Sequence, residues 1–514
     1  MTMIALVLPL LWGCGAQSVR EDKELWVLTE QTTWDRMNGQ LYVLEEAYET
    51  EHPGVDIRVE YLPSNEQERT VYLQQLRTQI IQGGGPDCYL LPTDNTLILD
   101  EPAQYTFVDV EPLFSDVDLA MGNGLFYDIT EFYDADNGLG KEVLNTRIMD
   151  AGVVDERRYV LPLRYDIPVI YGFHDALEAA GLDPAILHED LGTIMESVYE
   201  AGDPALAGGL LRDELDVFSR LIDYDSGNAV ADEAVLTRYM ENYRMLKSMV
   251  GTAYLGNNWN GDGDLFCQLL SEGSVAVEKL NVRQYIYCYY DINQVEYYPL
   301  WIGSIQDAFD YVPVSKVEYR ELTVTPMRTM EGDVAATVTY YAAVGSGCRN
   351  PELAYDFLRQ FLLEESQWEQ NRPTRNHTKP LKGSGNTAND MQYPGLLERG
   401  WPVRDGCSLD TLWNVRRKQI YVRDAFFDSA NKTDLAVERE RRNRRIGRMG
   451  ELEEDRVPLF DVTIDEVRFN TTLSDGFADA LAQLNNDLGE PTQANVDELA
   501  RRLLWNLRWH VAEG

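Results

Sequence analysis

Positive charge is what this sequence has least of. Its 514 residues carry 45 Lys and Arg against 86 Asp and Glu, a formal net charge of −41. Phosphate backbones repel such a chain, so nucleic-acid binding by overall charge is excluded. Adhesion to an anionic lipid surface by charge is excluded on the same ground. Histidine and cysteine are also scarce. The 5 His stand at 52, 174, 188, 377 and 510, with no pair at metal-ligand spacing. The 6 Cys show no CxxC spacing, so neither a zinc site nor a redox motif is supported. No GxSxG, HExxH or P-loop occurs. No cofactor and no metal are expected. The apolar run at 1–13 is too short to span a bilayer as a mature helix, which needs about 20 residues.

What is present is a foldable composition. Hydrophobic residues make up 44% and aromatics 11%, including 29 Tyr and 10 Trp. A disordered acidic chain lacks that aromatic content. At about 100–200 residues per domain, the length suggests two or three domains.

Residues 1–13 (MTMIALVLPLLWG) fit the apolar core of a secretory signal. The segment Leu11-Trp12-Gly13-Cys14 resembles the bacterial lipobox, which implies lipidation of Cys14 as the mature N-terminus. The alternative is a plain cleaved signal with an incidental cysteine. A lipidated cysteine carries more than one acyl chain, which suffices for stable anchoring. Five cysteines then remain, at 88, 267, 288, 348 and 407, and an odd number cannot all pair within one chain. Their apolar neighbours favour buried free thiols.

The chain then alternates between strand and helix signals. Residues 24–29 read as a strand, and 39–50 as a helix with Leu41, Leu44, Ala47 and Tyr48 on one face. His52-Pro53-Gly54 breaks it, and 55–62 alternate as a strand should. Ser64 with Gln67 reads as a capping box, opening a helix with Tyr72, Leu73, Leu76 and Ile80 on its core face. Gly83-Gly84-Gly85-Pro86 ends it before a third strand at 88–92. This β-α-β-α-β order predicts an α/β fold with a mostly parallel sheet. In such sheets ligands sit beyond the carboxyl ends of the strands. Those ends lead into the loops at 29–38 and 93–96.

Residues 158–173 form a long apolar stretch interrupted by Arg164-Tyr165-Asp166, suited to crossing between lobes. Pro162 and Pro168 are expected to forbid a regular central strand there. Residues 335–347 read as a long strand. Asn350 then caps a helix that begins at Pro351, with Ala354, Phe357, Leu358, Phe361 and Leu362 in one apolar stripe. Arginines at 439–448 are flanked by glutamates, which predicts a solvated, internally paired helix face. Helices at 473–486 and 494–511 close the chain.

The stretch from Leu44 through Gly85-Pro86-Asp87, the segment YVLPLRYDIPVIYGF, the segment ATVTYYAAVGSGCRNPELAYDFLRQFLLEE and the terminal VDELARRLLWNLRW together resemble the bacterial extracellular solute-binding proteins of the maltose-binding type. Those proteins are ligand receptors of ABC importers. The resemblance covers most of the chain from 24 to 514. It implies a two-lobed periplasmic-binding-protein fold of type II, with the ligand in the cleft between lobes. Residues 1–21 would be signal and tether. Lobe 1 would comprise 22–163 plus 340–455, and lobe 2 170–335 plus 456–514. The hinge would lie near 164–169 and 336–343. The expected partners are a small-molecule solute and ABC permease subunits, with membrane contact only through the lipid anchor. The charge favours a soluble monomer.

Members of that family mostly bind sugars. A sugar has an apolar face and a rim of hydroxyls, so it calls for aromatic rings with carboxylates, amides and guanidinium groups. By position the first-lobe candidates are Glu30, Gln31, Thr32, Trp34, Asp94 and Asn95. Arg164, Tyr165 and Asp166 lie on one crossing, and Tyr340 and Tyr341 on the other, where only one of the two tyrosines can face a cleft. The second lobe offers Asn257, Asn258, Trp259, Lys279 and Asn281, with Trp301 and Trp401 weaker. Asn260, Asp262 and Asp264 are spaced like early calcium-loop ligands, but Ser271 stands where a Glu is needed. Two other readings stay open: a secreted glycoside hydrolase with a carboxylate pair, and a surface sensor on the same scaffold.

Overall fold

The computed structural model describes residues 23–30, 40–93, 96–101, 104–212, 214–224, 226–250, 275–279, 322–363, 366–367, 401–404, 463–469 and 493–513, with a few positions between 473 and 482. Strand β1 (Glu24–Thr29) is buried over all but its first residue. Its apolar run therefore suits the middle of a sheet. Helix α1 (Gln40–Glu51) buries Leu41 and Tyr48 and leaves Ala47 exposed. Strand β2 (Asp56–Tyr61) alternates and pairs parallel with β1.

Helix α2 (Glu66–Ile81) is capped by Asn65 rather than Ser64. The Asn65 Oδ1 accepts from the backbone N–H of Gln67 at 3.1 Å and of Glu68 at 3.2 Å. Asparagine caps as well as serine, and here the extended residue just before the helix is Asn65. Leu73, Leu76 and Ile80 face the core. Strand β3 (Cys88–Pro92) then pairs parallel with β1. Cys88 is a buried free thiol, as its apolar neighbours suggested, whereas Cys348 is only half-buried, and Cys267, Cys288 and Cys407 lie outside the described residues.

Helix α3 (Val117–Gly122) follows β3. Strands β4 (Val160–Asp166) and β5 (Pro168–Phe173) come next, separated by Ile167 alone. Pro162 and Pro168 do not prevent this regularity, contrary to the sequence expectation. Pro168 is the first residue of β5, where a missing N–H is tolerated. On one flank β4 pairs only at Arg164 and Tyr165 among the described residues, so Pro162 is spared a full ladder there.

Helices α4 (Leu191–Ala201) and α5 (Glu233–Val250) lead to strands β6 (Val275–Lys279) and β7 (Leu322–Pro326), which flank β5 antiparallel. Strand β8 (Ala335–Val344) returns to the first sheet, followed by helix α6 (Pro351–Leu358), capped by Asn350 as expected. Strands β9 (Trp401–Pro402) and β10 (Glu466–Phe469) and helix α7 (Gln493–Glu513) complete the order. The first sheet runs β9-β4-β8-β3-β1-β2, with β10 beside β8. It is mixed: β8 is antiparallel to β3 and β4 but parallel to β10.

Two cores result. The first gathers Leu25 to Ile167, Val334 to Leu362, Val403, Ile464 and Phe469. The second gathers Ile170 to Val250, Met327, Met330 and Phe477 to Leu507. Among the described residues the chain passes between them three times, at Ile167, at 327–334 and between Phe469 and Leu473. The second connection precedes β8, whereas the sequence placed it at 336–343, inside that strand. Residues 463–469 pack with the first core, although the sequence assigned 456 onward to the second.

Close backbone approach locks β8 to the α2–β3 turn. Gly345 donates its N–H to the Asp87 carbonyl at 2.9 Å. A Cβ at Gly345 would stand 2.2 Å from the Pro86 carbonyl oxygen. Gly345→Ala is therefore expected to destabilise the first core by about 1–3 kcal/mol, measured by urea denaturation, because the clash is with backbone that cannot swing aside.

Candidate functional site

The carboxyl ends of β1, β2 and β3 share one edge of the first sheet. A small pocket opens there, lined by Glu30, Leu62, Thr93, Phe114, Val117 and Tyr341. Glu30 is held by a buried ion pair. Its Oε1 accepts from Arg69 Nη1 at 2.8 Å and its Oε2 from Nη2 at 2.7 Å. Arg69 also donates to the carbonyls of Glu111 at 2.6 Å and Pro63 at 3.0 Å. This two-pronged contact fixes the carboxyl end of β1.

A larger pocket lies between the two cores. Asp118 and Thr337 contribute from the first; Asp216, Ser219, Arg220 and Tyr224 come from the second. Strand β10 adds Glu466, Arg468 and Phe469 to its wall, and Leu473 and Leu507 make part of it apolar. Carboxylates, cations, hydroxyls and an aromatic ring thus converge on one space between the cores.

Arg468 organises that space. Its Nη1 donates to the carbonyls of Leu215 at 3.0 Å and Ser219 at 3.3 Å, and its Nη2 to that of Phe218 at 2.6 Å. A side chain of the first sheet thereby holds a turn of the second core. Desolvation lowers the Arg468 pKa, while the charges of Asp216, Glu331 and Glu466 oppose that shift. Asp216 accepts from Arg212 at 2.8 Å within the same turn. Burial pushes the Tyr224 hydroxyl far above its usual pKa, and the charges of Asp116 and Asp118 push it further. That hydroxyl therefore keeps its proton and serves as a hydrogen-bond donor to Asp116.

The sequence-derived candidates divide into three groups. Trp34, Asp94, Trp259, Gln31, Thr32, Asn95, Asn257, Asn258, Asn281, Trp301 and Cys14 lie outside the described residues, as do Asn260, Asp262 and Asp264. Lys279 ends β6 opposite Pro168, and Trp401 begins β9 opposite Tyr165; only their backbones are described. Glu30 follows β1 beside the smaller pocket, and the remainder sit on the crossing strands. Asp166 is the last residue of β4 and pairs in register with Thr337, which lines the larger pocket. Arg164 and Tyr165 are buried in the strand, with Arg164 Nη2 donating to the Gln367 carbonyl at 3.3 Å.

Tyr340 and Tyr341 are both buried, and the register shifts between them. The simple alternation expected of adjacent strand residues is interrupted there. Tyr341 packs edge-on against Phe126 and Phe469 and reaches the smaller pocket.

Sequence reasoning missed Arg468, Tyr224, Asp216, Asp116 and His510. Only Asp116 had a local signal, as an N-cap before the apolar Val117. The others acquire meaning through partners far away in the chain. Among the described residues no group of His, Cys, Asp or Glu could hold a metal ion. Among them, too, no helix is long and apolar enough to cross a membrane.

A family model for bacterial extracellular solute-binding proteins matches residues 39–368. The chain belongs to that family. The matched span includes both sheets' crossing strands and stops before β9. The α/β architecture with a mixed sheet is that of the two-lobed periplasmic-binding-protein fold.

No curated protein matches the chain. Among solved structures it is similar to a de novo designed cysteine esterase, with a TM-score of 0.51 and 12% identity, covering 95% of this chain and 98% of that one. It is also similar to an ABC substrate-binding protein from Listeria monocytogenes in complex with cycloalternan, with a TM-score of 0.47 and 11% identity over 95% of this chain and 99% of that one. A solute-binding protein of an ABC transporter from Thermotoga lettingae, bound with α-D-tagatose, gives a TM-score of 0.47 and 11% identity over 95% and 100%. At 12% identity the likeness to the designed esterase is one of fold.

Arg468→Ala would strip three carbonyls of their donor. It is expected to cost about 1–3 kcal/mol in chemical denaturation. Arg468→Lys should recover only part of the loss, because an ammonium lacks the planar fork that spans several acceptors.

Proposed function

We propose that this solute-binding protein captures a neutral carbohydrate outside the cytoplasm, closes two lobes over it and delivers it to an ABC importer. The first lobe would be the body around the β1–β3 and β8 core, and the second the body around β5, α5 and α7. The observation that carries this reading is the pocket between the two cores, where Asp118, Asp216, Glu466 and Tyr224 stand beside Leu473 and Leu507. Carboxylates accept from sugar hydroxyls, the guanidinium groups of Arg220 and Arg468 donate to them, and apolar side chains meet the C–H face of a ring. A micromolar receptor needs about −8.2 kcal/mol in total. One ring contact of about 0.5–1.5 kcal/mol beyond area burial and several hydrogen bonds reach that range.

The charge balance supports a neutral solute. The protein carries −41 overall, and acidic groups outnumber basic ones around the pocket. An anionic ligand would be repelled on approach. Asp166 is proposed as a ligand contact from the crossing, and Trp34, Asp94 and Trp259 as contacts from loops placed by sequence. Cys14 is proposed as the lipid anchor, which gives a protein repelled by anionic membranes a covalent means of staying there.

A thermal-shift screen against a sugar library tests the ligand class. A true solute at about 100 times its Kd should add about 2.7 kcal/mol of stability without being turned over. Release of cleavage products would replace the receptor reading with that of a glycoside hydrolase. With the solute in hand, Asp166→Ala should weaken binding at least tenfold by calorimetry; an unchanged Kd would remove Asp166 from the site. Expression of Cys14→Ser in a bacterial host should move the protein from the membrane fraction to the soluble fraction, and retention in the membrane would count against the anchor.

A further inference from the structure

The side chain of Asp116 makes contacts from one core to the other. Asp116 stands at the start of α3, which packs into the first core through Val117, Ala120 and Met121. Its Oδ1 caps that helix by accepting from the Leu119 N–H at 3.0 Å. Its Oδ2 accepts from two donors of the other body: the Tyr224 hydroxyl at 2.6 Å and His510 Nε2 at 2.8 Å. Tyr224 packs against the second core, and His510 lies in the last turn of α7, whose inner face belongs to that core. The carboxylate is 1% exposed, and its histidine partner 18%.

The position of this contact matters as much as its strength. Tyr224 and Asp118 both line the pocket between the cores, one from each side. Asp116 is two residues from Asp118. A movement that widens the pocket enough to admit a solute must draw Tyr224 away from Asp116. On the reading of a closing receptor, the contact belongs to the arrangement in which the walls are close together. The chain connections at Ile167, 327–334 and after Phe469 persist whatever the separation. Polar contacts that form only in one arrangement bias the equilibrium toward it.

We propose that Asp116, gripped by Tyr224 and His510, is a closure latch that holds the two bodies together before solute arrives and so sets the receptor's affinity. The inference rests on the reading of the chain as a closing solute receptor. Asp116 and His510 act as positioning residues outside the pocket lining, whereas Tyr224 also lines the pocket, so His510→Leu is the variant that reads the latch apart from solute contact. The latch works through the fraction of molecules already closed. Apparent affinity scales with that fraction. Burial of the carboxylate makes the grip selective: one oxygen serves the helix cap and the other serves both donors of the second body.

The test uses the full chain without ligand. Tyr224→Phe removes only a hydroxyl, and His510→Leu removes the second donor while leaving the helix cap intact. Small-angle X-ray scattering of the native chain, each single variant and the double variant should show a radius of gyration that rises with each donor lost. Superimposable scattering curves for native and double variant would overturn the latch. If the sugar screen yields a solute, His510→Leu, which lies outside the pocket lining, should bind it several-fold more weakly, and Asp116→Asn, which keeps the helix cap but loses the charge, should also weaken it. Equal affinity in all forms would also overturn it. A screen that yields no solute overturns the proposed ligand class and leaves the scattering result to decide the latch alone.

Discussion

The Arg468 guanidinium leaves the first sheet at β10 and donates to the carbonyls of Leu215, Phe218 and Ser219 in the second body. Much of the pocket's shape follows from that grip. The turn it holds carries Asp216, Ser219 and Arg220 into the pocket wall. The strand it comes from is parallel to β8, the longest described strand of the first sheet and buried along nearly all its length, so the grip is anchored in the first core. A single planar group can satisfy three acceptors only if they are presented in a fixed fan. Turn and strand are thereby positioned against each other, and the pocket is what lies between them.

The first lobe's layout was largely legible in the sequence. Leu41, Tyr48, Leu73, Leu76 and Ile80 recur at helical spacing, and the Gly83–Pro86 run marks a stop that few other residues would make. Asn350-Pro351 marked its helix equally well. The cap at Asn65 was displaced by one residue because two good caps stand side by side at Ser64 and Asn65. Pro162 misled for a different reason. The rule against proline in central strands assumes ladders on both sides, and β4 has only a two-residue partner on one flank among the described residues. Which neighbours a strand acquires depends on segments hundreds of residues away.

The site was harder to read for the same reason. Arg468 meets Leu215 across 253 positions, and His510 meets Asp116 across 394. No local periodicity encodes such a meeting. What the sequence could say was that a crossing strand bearing Arg164, Tyr165 and Asp166 would run close to the site. The strand is there, but its tight packing turns Arg164 and Tyr165 inward, and Asp166, at its end, pairs with a pocket residue. Glu30 likewise stands where a ligand contact was expected, with its carboxylate occupied by Arg69.

Ile167 alone separates β4 from β5, so one sheet ends and the other begins within a single residue. A connection that short leaves only a few soft backbone dihedrals to rotate. The two bodies can never drift far apart. Each therefore experiences the other at a high effective concentration, as linked binding partners do. Weak polar contacts between them, too feeble to hold separate proteins together, then suffice to tip the balance between apart and together. That is a setting in which a small solute with modest affinity can move a large molecule.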